Sequence, residues 1–133
     1  MTTASDNRVL LDTSVWVDYF RKRQPVYAEV EKLIEEERVC TAHLIVAELL
    51  AGARSDTEFA ALRTAVEIFH LLREEEDTWT EAARLASRLR RRGASLGLAD
   101  CYIATLVHQQ GVALWSFDKH FKTIRENLKI SIL

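Results

Sequence analysis

The stretch Val9-Leu10-Leu11-Asp12-Thr13-Ser14-Val15-Trp16-Val17-Asp18 decides how this chain is read. Three apolar residues without helical period open into a hydroxyl pair and then an amphipathic segment, the pattern of a buried strand handing over to a helix. Asp12 stands at the handover. Open parallel α/β sheets place their ligand sites beyond the carboxyl ends of the strands, which makes Asp12 the first functional candidate. Its plain alternative is to cap the helix that follows.

Working outward, the segment Ser14 to Arg23 carries Trp16, Tyr19 and Phe20 at helical spacing and closes on Arg21-Lys22-Arg23, cations that suit a helix C-terminus. Pro25 opens a second helix with Val26, Val30, Leu33 and Ile34 on one stripe and Glu29, Glu31, Glu35 and Glu36 on a solvated face. Arg38 to Ala42 reads as a short strand. The segment His43 to Gly52 is apolar almost all round except at Glu48, which predicts a buried helix. Ser55-Asp56-Thr57-Glu58 has capping-box form and leads into a helix over Phe59, Leu62 and Val66, followed by a strand at Ile68 to Leu72 and a solvated acidic loop, Glu74 to Asp77. Thr78-Trp79-Thr80-Glu81 repeats the capping-box spacing. The helix it opens has Trp79, Ala82, Ala83, Ala86 and Leu89 on one side and a basic stripe, Arg84, Arg88 and Arg91, on the other. Gly93 to Gly97 break the helical pattern, and a largely apolar helix resumes over Leu98 to Gln110 with Asp100 in its first turn. A strand at Val112 to Ser116, a helix from Phe117 to Asn127 containing Asp118, and a last strand at Lys129 to Leu133 complete the chain. This alternation favours a parallel sheet covered on both faces by helices, because parallel neighbours need crossover connections.

With 133 residues the chain is about one domain long, and residues 1–133 read as a single domain with no interdomain linker or repeat. Lys+Arg 18 against Asp+Glu 20 gives a net charge of -2, so no chain-wide basic field marks a nucleic-acid partner and any such contact must be local. Met1 to Arg8 is polar, and no run approaches the roughly 18 apolar residues of a membrane span, which predicts a cytoplasmic protein that does not enter a membrane. Cys40 and Cys101 both sit in apolar segments and read as reduced core residues.

Most acids lie on polar faces or in loops. Asp12, Glu48, Asp100 and Asp118 do not: each interrupts an apolar element or stands at its end. An isolated buried carboxylate is costly enough to be protonated, paired or bound to a cation. In a doubly wound sheet all four fall on one rim, where they repel one another; a hard divalent cation, Mg²⁺ or Mn²⁺, relieves that repulsion. A Mg²⁺ so held keeps several waters and can clamp a phosphodiester, so the matching reaction is phosphodiester hydrolysis. Taken singly, Asp12, Asp100 and Asp118 also fit helix caps or first-turn acids; Glu48 has the poorest such alternative.

Four segments together resemble a known family: Leu11-Asp12-Thr13-Ser14-Val15-Trp16, Val46-Ala47-Glu48-Leu49-Leu50-Ala51-Gly52-Ala53, Leu98-Ala99-Asp100-Cys101-Tyr102-Ile103-Ala104, and Leu114-Trp115-Ser116-Phe117-Asp118-Lys119-His120-Phe121. In this order and spacing they resemble the PIN-domain ribonucleases of the VapC toxin type, over nearly the whole chain. The resemblance implies a three-layer α/β/α PIN-like fold with a central, mainly parallel sheet of four or five strands. It also implies a magnesium-dependent endoribonuclease, with Asp12, Glu48, Asp100 and Asp118 as the acidic quartet. Asp12 and Asp100 match the surest direct ligands; Thr13 and Ser116 match hydroxyls that orient acids or water. A homodimer, an RNA substrate and a cognate antitoxin covering the cleft are further implications. Ser116 stands where the family often has Thr, and Cys101 where a small or apolar residue is more usual; neither removes a ligand.

Arg21, Lys22 and Arg23 are the better candidates for positioning RNA phosphates, ahead of the Arg84, Arg88 and Arg91 stripe. His43, His70, His108 and His120 form no recognisable zinc pattern with the two cysteines. The rival from another class is a non-catalytic interaction module whose acidic cleft binds a partner peptide. A phosphatase using Asp12 as nucleophile lacks a second Asp two residues on, where Ser14 stands.

Overall fold

The computed structural model describes residues 7–133; residues 1–6 of the stretch read above as polar lie outside the described residues. Five strands and seven helices follow in the order β1 (Val9–Leu11), α1 (Thr13–Phe20), α2 (Val26–Glu35), β2 (Val39–Thr41), α3 (His43–Ala51), α4 (Asp56–Val66), β3 (His70–Leu71), α5 (Thr78–Arg91), α6 (Leu98–Gln110), β4 (Ala113–Trp115), α7 (His120–Arg125) and β5 (Ser131–Ile132). All strand pairs are parallel, in the order β3-β2-β1-β4-β5. The expected mainly parallel sheet is therefore present, with five strands.

β1 is central because it can afford no solvent on either face: Val9, Leu10 and Leu11 alternate sides and all three are fully buried. Val9 pairs with Val39 on one side and Ala113 on the other, and Leu11 lies opposite Trp115. The edge strands β3 and β5 are two residues each, which leaves little ladder open to another chain. From β1 the chain steps outward to β2 and β3, then crosses back through α5 and α6 to β4 on the other side of β1. The sheet order reverses between β1 and β4, and a crevice opens beyond their carboxyl ends. Among the described residues no helix is long and apolar enough to cross a membrane.

Local sequence explains the elements around that crevice. Asp12 ends β1 with its backbone N–H on the Trp115 carbonyl at 2.9 Å and gives its own carbonyl to the amides of Val15 and Trp16, so the strand passes directly into α1. Trp16 is fully buried, stacked on Phe20 and tilted against Phe69, and pins α1 to the sheet. α6 presents buried residues from Cys101 through Val107 on every side and packs along α5, as its uniformly apolar sequence requires. Cys40 and Cys101 are buried free thiols.

Four local readings change. α3 is not buried all round: Ile45 and Leu49 are buried, whereas Ala47, Glu48 and Ala51 face outward, so its apolar composition overstates its burial. Ser55 does cap α4, accepting the Glu58 amide at 3.1 Å, but Thr78 does not cap α5. It is buried inside the first turn, accepting the Glu75 amide and donating to Gln109 Oε1 at 2.6 Å, because α6 lies close enough to offer a partner. Trp79 is 45% exposed and stacks on Tyr102 at 4.1 Å rather than entering the core. Glu74, read as a solvated acid, accepts from Tyr102 Oη and Trp79 Nε1, and burial together with that carboxylate pushes the Tyr102 hydroxyl above its ordinary range.

Candidate metal centre

The crevice between β1 and β4 is a pocket of about 370 Å³ whose polar lining is Asp12, Thr13, Ser14, Glu48, Asp100 and Asp118. Ala99, Ile103 and Phe117 form its apolar walls. All four acids singled out by sequence therefore face one cleft, each delivered by a different element: the end of β1, the middle of α3, the first turn of α6 and the segment after β4.

A hydrogen-bonded chain ties the β1 and β4 ends together. Ser116 Oγ donates to Asp12 Oδ2 at 2.6 Å and accepts the Asp118 amide at 2.9 Å; Asp118 Oδ1 in turn accepts the His120 amide at 2.9 Å. Asp118 thus does cap the start of the α7 region while its carboxylate still lines the pocket. Asp12 makes no capping bond to α1, although it occupies the N-cap position, so the cap reading fails for it. Across the cleft, Thr13 Oγ1 donates to Glu48 Oε1 at 2.6 Å. The two hydroxyls singled out by sequence each hold an acid.

Burial is the main reason the Asp100 carboxyl is held above the ordinary carboxylate range; the hydrogen bond from His120 opposes this, and the charges of Asp118 and Asp12 push the same way as burial. Such crowding is what a cation would relieve. The donor set fits a hard divalent ion: carboxylate oxygens converge from several elements with no Lys or Arg among the pocket residues, and Ser14 Oγ on the same lining is buried without a hydrogen-bond partner.

The structure adds a residue that sequence reading set aside. His120 places Nδ1 3.2 Å from Asp100 Oδ2 and 3.2 Å from Asp118 Oδ1, and one ligand atom from each of these three residues lies within 4.8 Å of the others. The one sequence signal was proximity: His120 lies two residues beyond Asp118, in the same segment after β4.

The basic candidates separate. Arg21 lines a neighbouring groove of about 550 Å³ that shares Thr13 and Glu48 with the acid pocket and runs on over Val17, Phe20, Leu49 and Leu62. Arg23 is paired with Asp18 at 3.2 Å, and Lys22 ends α1 in the left-handed region with φ 56°. Arg84 and Arg88 line a different hollow, with Arg84 paired to Glu81 at 2.9 Å. It shares no residue with the acid pocket.

Comparison with known proteins agrees with this geometry. The PIN domain family model matches residues 9–127, so the chain belongs to the PIN-domain family. Within it, the chain is similar to Ribonuclease VapC11 of Mycobacterium tuberculosis, 32% identical over 121 residues that cover 87% of this chain and 90% of the relative. It is also similar to Ribonuclease VapC1 of Methanocaldococcus jannaschii, 28% identical with 94% and 88% of the two chains covered. In fold it is similar to a chain of VapBC2 from Rickettsia felis, solved bound to a promoter DNA fragment, with TM-score 0.76, 15% identity, and 94% of this chain and 96% of that one covered.

Proposed function

We propose that residues 1–133 form a single PIN domain acting as a magnesium-dependent endoribonuclease, the toxin of a toxin–antitoxin pair, in the cytoplasm. The observation that carries this reading is the convergence of Asp12, Glu48, Asp100 and Asp118 in one pocket at the reversal of the sheet. Relatives of this chain named ribonucleases support the activity, and neighbours solved as VapBC assemblies support an antitoxin partner.

Asp12, Asp100 and Asp118 would hold Mg²⁺, or alternatively Mn²⁺, with Glu48 completing the site directly or through water. When bound, the ion supplies charge stabilisation at the phosphodiester and lowers the pKa of a coordinated water. The chain's own residues do the rest. Ser116 fixes the rotamer of Asp12 by a 2.6 Å hydrogen bond and holds the Asp118 backbone, so two acids arrive already oriented. Thr13 fixes Glu48, whose exposed position lets it meet a water or the substrate's sugar-phosphate edge. Arg21, on the groove that shares Thr13 and Glu48, would hold an RNA phosphate beside the cleft. Lys22 and Arg23 contribute to the local field only, Arg23 being already engaged by Asp18.

The same groove, apolar along Val17, Phe20, Leu49 and Leu62 and ending at the acids, suits an antitoxin segment that lays apolar side chains along it and brings a cation to the cleft. The working unit is taken to be a homodimer. The deciding experiment incubates a mixed RNA pool with the full chain and Mg²⁺, with EDTA, and with Asp12→Asn. Cleavage confined to the first condition is expected. Cleavage in all three would defeat the metal mechanism, and tight RNA or peptide binding without cleavage in any would favour the non-catalytic module. Light scattering on the purified chain checks the dimer.

A further inference from the structure

We infer that His120 is a nitrogen ligand of the same metal centre and biases it toward Mn²⁺ over Mg²⁺; this rests on the reading of the acid cleft as a metal site. Asp100, Asp118 and His120 bring one donor atom each within 4.8 Å of one another, with His120 beside the two acids that line the cleft. Nδ1 stands 3.2 Å from one oxygen of each carboxylate, equidistant between them. That spacing separates two roles. A charge-assisted hydrogen bond to a single acceptor shortens to about 2.7–2.9 Å, and one imidazole N–H shared between two acceptors bonds each of them less strongly. Neighbouring donors around an octahedral ion with bonds of about 2.1 Å lie about 3.0 Å apart. The two 3.2 Å distances from Nδ1 are close to the second spacing and at the long end of a hydrogen bond.

The backbone explains why the ring is there. Asp118 Oδ1 accepts the His120 amide, so the same oxygen that faces the imidazole is anchored at the base of α7. Ser116 holds the amide of Asp118 from the other side. His120 is half-exposed, so nothing in the core fixes its ring, and the two carboxylates are its polar neighbours. A site of oxygen donors alone suits Mg²⁺; an added imidazole favours a transition-metal ion over Mg²⁺, and among these Mn²⁺ is the one that shares the preference of Mg²⁺ for carboxylate and water.

The test is Mn²⁺ binding to the full chain followed by electron paramagnetic resonance, with Mg²⁺ measured by competition. The wild type is expected to bind Mn²⁺ with ¹⁴N modulation in the pulsed spectrum. His120→Ala and His120→Gln should still bind it but lose the modulation. Mn²⁺ affinity should fall about tenfold in both variants while Mg²⁺ affinity changes much less, so the preference between the ions collapses. Wild-type Mn²⁺ bound without ¹⁴N modulation overturns the role of His120 and leaves the acidic site standing. Absence of saturable Mn²⁺ binding to the wild type overturns the metal site itself. Because the decisive spectrum is that of the unmodified chain, the result does not depend on either variant folding.

Discussion

Asp12 and Glu48 face the same pocket, yet the molecule invests very differently in the two. Asp12 leaves the central strand, whose residues on both sides are fully buried; its backbone is in the ladder, and its carboxylate receives the Ser116 hydroxyl, itself fixed by the Asp118 amide. Glu48 stands on the outward side of α3 and is held by one hydroxyl, Thr13. The first wall is a rigid scaffold continuous with the core; the second is a helix surface shared with an open groove. Positional accuracy therefore belongs to the Asp12 side, and access for substrate or partner to the Glu48 side.

The strongest way to break that contrast is Asp12→Asn. It removes a charge from the rigid wall while keeping the shape and the acceptor for Ser116, so cleavage should fall by on the order of 10³-fold, the several kcal/mol that metal charge stabilisation supplies. Initial rates on a fluorogenic RNA would read it; a loss no larger than that of Glu48→Gln would mean the two walls are equivalent. One step down, Ser116→Ala should weaken metal affinity about 10–100-fold, the usual effect of removing a hydrogen bond behind a ligand. Thr13→Ala should cost distinctly less, since Glu48 keeps its solvent. Calorimetric titration of both variants compares them directly, and Ser116→Thr, which retains the hydroxyl, should restore binding.

How much of this was legible in the sequence follows the same division. Val9-Leu10-Leu11 was legible as a buried strand, because three consecutive apolar residues with no polar face need cover on both sides, and Asp12 follows from its position at the end; that the strand is the central one came only with the structure. Asp100 and Asp118 were legible as acids in apolar settings. Glu48 was found for a partly wrong reason: α3 is apolar around it but not buried around it, since Ala47 and Ala51 border an open surface that composition alone cannot distinguish from a core. Thr78 and Trp79 were misplaced because capping-box spacing says nothing of the neighbouring helix whose Gln109 and Tyr102 claimed them. His120 was invisible to a search for metal spacing, because its partners come from two elements, one of them twenty residues earlier.

A smaller effect probes the open wall. Arg21 lies on the groove rather than in the acid pocket, so Arg21→Ala should weaken RNA binding several-fold, equally across sequences, and reduce the slope of log affinity against log salt by about one. Arg88→Ala, whose hollow shares no residue with the acid pocket, should leave that slope unchanged. Filter binding at four salt concentrations distinguishes them, and equal losses at both positions would move the RNA path away from the Glu48 side.

The smallest effect is one of stability, and its sign comes from Asp100 in the first turn of α6, more buried than Glu48. Asp100 is held above its ordinary value near 3.8, first by burial and then by the charges of Asp118 and Asp12, with His120 opposing. A carboxyl whose pKa is raised by folding binds its proton more tightly in the folded chain than in the unfolded one. Ionised Asp100 therefore costs stability at pH above that raised value; the cost fades as pH falls through it toward the ordinary value and is gone once both states are protonated. Asp100→Asn, measured in EDTA, should raise the melting temperature at pH 7 by about 2–5 °C. The gain should shrink as the buffer is taken down through the acid range toward pH 4, because the wild type then carries the same neutral group. Glu48→Gln, on the exposed wall, should show no comparable gain at any pH. A wild-type chain that is more stable than Asp100→Asn at pH 7 without metal would mean that the His120 hydrogen bond outweighs burial and repulsion together, and that the cleft is balanced without a cation.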